Sequence, residues 1–340
     1  MISASQPPKA APKQDPTPPT QQSKNAFNPQ ISLVTDFRFN AIDNDSSVKK
    51  RFFMKEAELG FAADVDPFLR AEAYLAFADD GTGKTEAEVE EAFGLYSNLG
   101  RGMSAKFGKI AAAIGRVQRN HSDQLNWLDY PLFVQNFLGE EGFRAGGASL
   151  SYLFPGDRFS ELTFEALDGG DTKMFGRANG GSPVFNGHYR TFFDFGEDSS
   201  AQVGLTYATG PGAAAGRANM YGADLTYKWQ PGTAGKSMVV EAEVFGAKPG
   251  TGMKTATGGF AAVTYQFMPR LYGTAKFDYS ELPGTNDIQR AFSLGATLKV
   301  TEFHYWRAEF QCIDSNFQPR RNVLNLQFQW MIGAHPAHKY

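Results

Sequence analysis

Three features of this 340-residue sequence predict an all-β fold, a transmembrane antiparallel up-and-down β-barrel. Apolar and polar side chains alternate from Gln30 to the C-terminal region. The connections between alternating segments switch between short and long. Gly and Phe are abundant, at 36 and 30 residues, whereas no stretch reaches the run of about 18 apolar residues that a transmembrane helix needs. A barrel strand crosses a bilayer with only about 9 to 11 residues, so the missing apolar run excludes a helical membrane protein and leaves the barrel open.

The segment before the alternation is of a different kind. Between Gln6 and Gln22 fall Pro7, Pro8, Pro12, Pro16, Pro18 and Pro19, with Lys9 and Lys13 and no large apolar side chain. Such a segment cannot offset its ordering entropy by burial. Residues 1–27 are expected to be a proline-rich disordered tail, with a possible partner in the periplasm, and residues 28–340 to be the barrel. Met1-Ile-Ser-Ala-Ser-Gln lacks the basic start and apolar middle of a signal peptide, as expected of a mature or re-engineered form.

Period-two alternation puts two environments on the two faces of a strand. Ile31, Leu33, Phe37 and Phe39 oppose Ser32, Asp36 and Arg38; Ala57, Leu59, Phe61 and Val65 oppose Glu56, Glu58 and Asp64; Leu69, Ala71, Ala73 and Leu75 oppose Arg70, Glu72 and Tyr74. The pattern continues with Leu162, Phe164 and Ala166 against Thr163 and Glu165, and with Val203, Leu205 and Tyr207 against Gln202, Gly204 and Thr206. Ala223, Leu225, Tyr227 and Trp229 then oppose Asp224, Thr226 and Lys228, and Val240, Ala242 and Val244 oppose Glu241 and Glu243. Ala275, Phe277 and Tyr279 oppose Lys276 and Asp278, and Trp306, Ala308, Phe310 and Cys312 oppose Arg307, Glu309 and Gln311. The last segment carries Leu324, Leu326, Phe328, Trp330 and Ile332 on one face and Asn325, Gln327 and Gln329 on the other. Amphipathic helix is not evident.

Short connections with turn residues include Asp64 to Pro67, Tyr96 to Gly102, Pro155 to Arg158, Gly196 to Ser199, Gln230 to Lys236, Met268 to Arg270 and Val300 to Phe303. The long ones run from Asn40 to Lys50, Ala78 to Glu88, Lys109 to Gly142, Asp168 to Gly187, Gly210 to Met220, Ala247 to Gly258, Ser280 to Gln289 and Asp314 to Asn322. Short-long alternation places odd and even connections at opposite ends. It gives about sixteen strands with both termini at the short-turn end. A meander of that many strands closes most easily into a barrel too wide for its side chains to fill. The polar faces then point into the lumen, the apolar faces meet outer-membrane lipid, and Trp229, Tyr279 and Trp330 fall in interfacial girdles.

The region from Asn28 to Tyr340 resembles the outer-membrane porins of Gram-negative bacteria, and more closely a group of uncharacterised porin-like proteins. The resemblance is carried by Phe27-Asn-Pro-Gln-Ile-Ser, Val89-Glu-Glu-Ala-Phe93, Lys106-Phe-Gly-Lys109, the stretch Asn120 to Leu132 and the ending Ile332 to Tyr340. Porins often end on a strand-terminal aromatic, whereas Tyr340 follows a short tail beyond the last strand. The resemblance implies a passive diffusion channel in the bacterial outer membrane, with both termini periplasmic and a homotrimer as the expected assembly. A structural barrel that scaffolds other envelope components is the alternative. Small outward side chains such as Ala71 and Ala73 would allow protomers to approach.

The expected pore-lining residues are Arg38, Glu56, Glu58, Arg70, Glu72, Lys106, Arg190, Asp194, Asp224, Lys228, Glu241, Glu243, Lys276, Asp278, Arg307 and Glu309. Asp36, Glu165 and Lys299 share that face. Acids and bases are nearly balanced, unlike the clustered Arg and Lys rings of an anion-specific pore. Glu56/Glu58 and Glu241/Glu243 have a spacing that paired catalytic carboxylates could use, but solvated lumen wall is the simpler reading. The longest connection, Lys109 to Gly142, holds Arg116, Arg119, His121, Asp123, Trp127, Asp129, Tyr130, Phe133 and Phe137, too much aromatic material for an exposed loop. It is the expected constriction loop, carrying Arg116, Arg119, His121, Asp123, Trp127 and Asp129.

Other chemistry is weakly signalled. A net charge of -3 and the lack of basic runs give no reason to expect nucleic acid. The single Cys312 excludes an internal disulfide. No nucleophile elbow, phosphate loop or dinucleotide fingerprint occurs, so neither an enzyme nor a cofactor is expected. His335 and His338 are spaced as a weak metal-ligand pair, but two imidazoles do not complete a site.

Overall fold

A computed structural model describes residues 29–42, 52–79, 84–170, 172–176, 183–213, 216–232 and 235–333. The tail 1–27 and the pair His335 and His338 lie outside the described residues. Sixteen strands follow one another: β1 (Gln30–Ile42), β2 (Phe52–Asp64), β3 (Leu69–Asp79), β4 (Thr85–Tyr96), β5 (Met103–Ala111), β6 (Arg144–Leu153), β7 (Ser160–Leu167) and β8 (Val184–Asp194). The series ends with β9 (Ser199–Pro211), β10 (Arg217–Trp229), β11 (Ser237–Lys248), β12 (Ala256–Met268), β13 (Leu271–Glu281), β14 (Ile288–Lys299), β15 (His304–Ser315) and β16 (Arg321–Gly333). Each pairs antiparallel with its sequence neighbours. β1 pairs with β16, Thr35 opposite Trp330, and this closes the barrel.

Burial is inverted relative to a water-soluble sheet. On β16 Leu324 is 41% and Leu326 43% exposed, whereas Asn325, Gln327 and Gln329 are 5%, 2% and 1% exposed. Phe277, Phe292, Leu294, Trp306 and Phe310 are likewise exposed, and Asp224, Glu241, Lys276 and Asp278 are buried. Apolar side chains therefore cover the outside and polar ones face in, as a bilayer requires of a barrel. Trp229 and Trp330 sit at the end where β1 begins and β16 ends, and Tyr279 near the opposite end. No helix is long and apolar enough to cross a membrane.

The connections differ from expectation in contrast, not in order. The spans 80–84, 212–216, 249–255, 282–287 and 316–320 are shorter than the loops read there, while the short-turn connection 230–236 matches the length of 249–255. The strands run on past the apolar belt because polar residues there keep the ladder, as Asn219 opposite Lys248 and Gln289 opposite Ser315 illustrate. The long segment is 112–143, and its first expected residues, Lys109 to Ala111, belong to β5 and pair with Arg144 to Gly146 of β6. It contains single 3-10 turns at Val117–Arg119 and Ser122–Gln124 and a helix, α1 (Leu132–Leu138), that alternation-based reading did not reveal.

Candidate functional site: the segment across the lumen

After Ala111 the chain turns inward instead of pairing further. Ala112 donates its amide to the carbonyl of Phe143 at 2.9 Å, which closes the neck of the 112–143 segment. Gly115 takes φ +69° directly against the Glu243 carboxylate, where a side chain would collide, and Gly139 at φ +113° ends α1. A segment with so little regular structure exposes backbone N–H and C=O groups that must find partners in a water-poor interior.

The inward charges of the wall supply those partners. Glu243 accepts the amides of Arg116 and Val117 at 2.9 and 2.6 Å, Glu165 accepts that of Ala113 at 2.7 Å, and the Thr206 hydroxyl accepts that of Gly115. Glu309 and Asp278 accept the amides of Leu128 and Leu132. In the other sense, Arg307 donates to the carbonyls of Trp127 and Leu125 at 2.7 and 2.9 Å, Arg38 to that of Leu128 and Thr274 to that of Asn126. Side chains add ion pairs: Arg116 with Glu241 at 2.5 Å and Asp129 with Arg38 at 2.7 Å. These anchors lie on β1, β7, β9, β11, β13 and β15, so the segment is held around the circumference, not along one side. Glu241 and Glu243 are thus occupied by the segment, where solvated lumen wall had been expected.

Aromatic packing seals the same region. Trp127 is 1% exposed, lies 5.3 Å from the Phe260 ring and has the Lys276 ammonium 5.4 Å from its own. Phe133 stacks on Phe245 at 5.3 Å and meets Phe137 edge-on at 6.0 Å. Phe143 contacts Phe175 of the β7–β8 connection, and Met174, Val184 and Met220 complete a continuous apolar cluster inside the barrel.

A third group lies where the segment meets β2 and β4. Opposite Tyr74 and Leu75 the β4 register slips, so that Glu90 and Glu91, successive in sequence, are both turned inward and buried. His121 Nδ1 stands 2.5 Å from Glu58 and 3.1 Å from Glu90, and its Nε2 3.5 Å from Glu91. Burial of the ring opposes its charge, but Glu58, with Glu90 and Glu91, outweighs that and holds the imidazolium well above the usual histidine range. Glu56, Glu90 and Glu141 form an adjoining carboxylate group. Arg144 is 3.7 Å from Glu90 and donates to the Tyr130 hydroxyl. Glu90, Glu91, Glu141 and Arg144 were not selected from the sequence, since period-two counting assigns only one of two adjacent residues to a face. The bulge has no residue signature that would have exposed it.

Several of the remaining expected residues surround a chamber of about 1900 Å³ between the segment and the short-turn end. Its wall carries Arg70, Glu72, Lys106, Arg190 and Lys228, and its roof Arg116, Arg119 and Trp127. Arg70 pairs with Glu72, Arg190 with Glu161, and Lys106 lies over the Phe93 ring. Burial and the neighbouring Arg190 hold the Arg119 guanidinium below its ordinary range. Asp194 and Lys228 border a smaller cavity at the short-turn rim. Asp224 pairs with His188 at 3.1 Å, Lys276 with Asp278, and the backbone of Asp123 faces the Tyr305 hydroxyl at 3.5 Å.

No family model matches the sequence. An uncharacterized protein of Aquifex aeolicus strain VF5 is 30% identical over 254 residues, which is 61% of this chain and 53% of that protein. The chain spans about half the length of this curated relative. Among solved structures, the anion-selective porin from Comamonas acidovorans superposes with a TM-score of 0.62 at 12% identity, covering 90% of this chain and 99% of that one. The outer membrane channel DcaP of Acinetobacter baumannii gives 0.57 at 14%, covering 90% and 96%. The trimer form of in-vitro folded OmpT of Vibrio cholerae gives 0.58 at 12%, covering 90% and 99%.

Proposed function

From a chain whose fold is that of the outer-membrane porins, we propose a channel of the bacterial outer membrane for small hydrophilic solutes, narrowed by the 112–143 segment. One observation carries this reading: an inverted barrel whose inward charges hold a single segment across the lumen, above a polar chamber open at the short-turn end. Residues that bond the segment, among them Arg38, Glu243, Arg307 and Glu309, keep the constriction in place. Arg70, Glu72, Lys106, Arg119, Arg190 and Lys228 meet the passing solute. Because both signs line the chamber, ion preference is modest.

β1 begins and β16 ends at the short-turn end, which faces the periplasm in this reading. The protein works as a homo-oligomer, with a trimer favoured by the assembly of the Vibrio cholerae barrel of the same fold. Single-channel recording in planar bilayers tests the function. The intact protein should give a small, steady conductance, and removal of residues 118–136 should raise it several-fold with the same barrel still folded on heat-modifiable gels. A second reading, a plugged scaffold barrel, is favoured by the continuous apolar cluster around Phe133. It predicts no current from the intact protein.

A further inference from the structure

Glu56 on β2 carries a buried carboxyl that takes no part in anchoring the inward segment. It is 7% exposed, and among the described residues it makes no hydrogen bond or ion pair. Its carboxylate points into a group with Glu90, on the bulge of β4, and Glu141, on the returning arm of the 112–143 segment. One oxygen from each lies within 4.8 Å of the others. Three carboxylates this close repel one another when ionised, and a cation among them stabilises the ionised forms. Glu90 is met by Arg144 at 3.7 Å and by His121 at 3.1 Å, and Lys55 acts on Glu56 and Glu141 from beyond ion-pair distance, but among the described residues no base forms an ion pair with Glu56 or Glu141.

We propose that Glu56, Glu90 and Glu141 form a binding site for a divalent cation of the hard, oxygen-seeking class, with Ca²⁺ as its occupant. The donor set is carboxylate oxygen throughout. The oxygens are close enough together to share one ion with ligands at about 2.3–2.6 Å, and Ca²⁺ is favoured over Mg²⁺ because Mg²⁺ dehydrates reluctantly and is seldom held by protein carboxylates alone. Waters complete the coordination shell. The three ligands come from two wall strands and the inward segment, so a bound ion ties the neck of that segment to the barrel. His121, 2.5 Å from Glu58 and 3.1 Å from Glu90, orients Glu90 without being a ligand in this set. The consequence for conduction rests on the channel reading above; the occupancy does not.

The test uses the full-length barrel refolded in detergent and stripped with a chelator. Calorimetric titration with CaCl₂ should give about one ion per chain, with weaker binding of MgCl₂. Glu56→Gln and Glu141→Gln should each weaken Ca²⁺ binding by roughly tenfold or more, while Glu86→Gln, an exposed position on β4, should leave it unchanged. Absence of Ca²⁺ binding by the intact protein, or equal affinity in both ligand variants, overturns the site; Mg²⁺ binding as tight as Ca²⁺ overturns the assignment of the ion. Should a variant fail to fold, the carboxylate infrared bands of the intact protein decide: a Ca²⁺-dependent shift is expected, and an unchanged spectrum refutes the site. Conductance recorded with Ca²⁺ and with chelator separates the two proposals. A barrel that binds Ca²⁺ but carries no current in either condition contradicts the channel, not the site.

Discussion

Glu243→Leu should release the descending arm of the 112–143 segment from the wall without changing the barrel. The Glu243 carboxylate accepts two backbone amides, from Arg116 at 2.9 Å and Val117 at 2.6 Å, and lies against Gly115. Leucine fills a similar volume but accepts nothing. Each buried amide left unpaired costs about 1–3 kcal/mol, so the two together destabilise the docked segment by roughly 2–6 kcal/mol. At about 1.4 kcal/mol per tenfold, the local opening constant rises by roughly thirtyfold to 10⁴-fold. Hydrogen exchange followed by mass spectrometry on a peptide spanning 112–119 reads this directly, with strand peptides such as 321–333 as the internal reference. The expected result is faster exchange confined to the segment, accompanied by a larger and noisier single-channel current. Unchanged exchange at Arg116 and Val117 would refute the view that wall charges serve chiefly to hold this backbone.

Phe133→Ala removes a 1%-exposed ring stacked on Phe245 and should cost about 3–5 kcal/mol of segment docking, seen as faster proteolysis within 112–143 while the barrel stays resistant. Leu326→Arg, at the middle of the outward face of β16, should destabilise the folded barrel in bilayers by about 2–4 kcal/mol in urea titrations; a neutral effect would contradict lipid contact there. Acid should loosen the Arg38–Asp129 pin. Burial raises the Asp129 carboxyl, but Arg38, helped by Lys55 and Lys276, outweighs it and holds the group below its usual range. A carboxyl depressed by folding contributes its stability above the unfolded value and loses it as pH falls through the lower folded one. Trp127 fluorescence, in a protein with Trp229, Trp306 and Trp330 replaced by Phe, should therefore shift to the red only at acidic pH. Asp129→Asn should abolish that dependence, and persistence of the transition in this variant would count against the pin.

The strands and their faces were legible in the sequence for a simple reason. A strand alternates its side chains with a period of two, and a bilayer outside and polar groups inside impose two uniform environments on that period. Leu324 to Ile332 against Asn325 to Gln329 could be assigned by counting alone. So could the strand number, because a meander leaves a turn between every pair. The aromatic content of Trp127, Tyr130, Phe133 and Phe137 likewise marked one segment as buried. What those residues touch was decided only in three dimensions. Glu243 meets Val117 across 126 positions and Arg307 meets Leu125 across 182, contacts that no local pattern encodes. The bulge that turns Glu90 and Glu91 inward together breaks the counting rule itself, since a register slip of one residue exchanges the faces of a strand. The sequence therefore determined which residues face inward along regular strands. Closure of the barrel decided which of them hold the inward segment, which line the chamber, and how Glu56, Glu90 and Glu141 come together, because only closure brings distant strands around one segment.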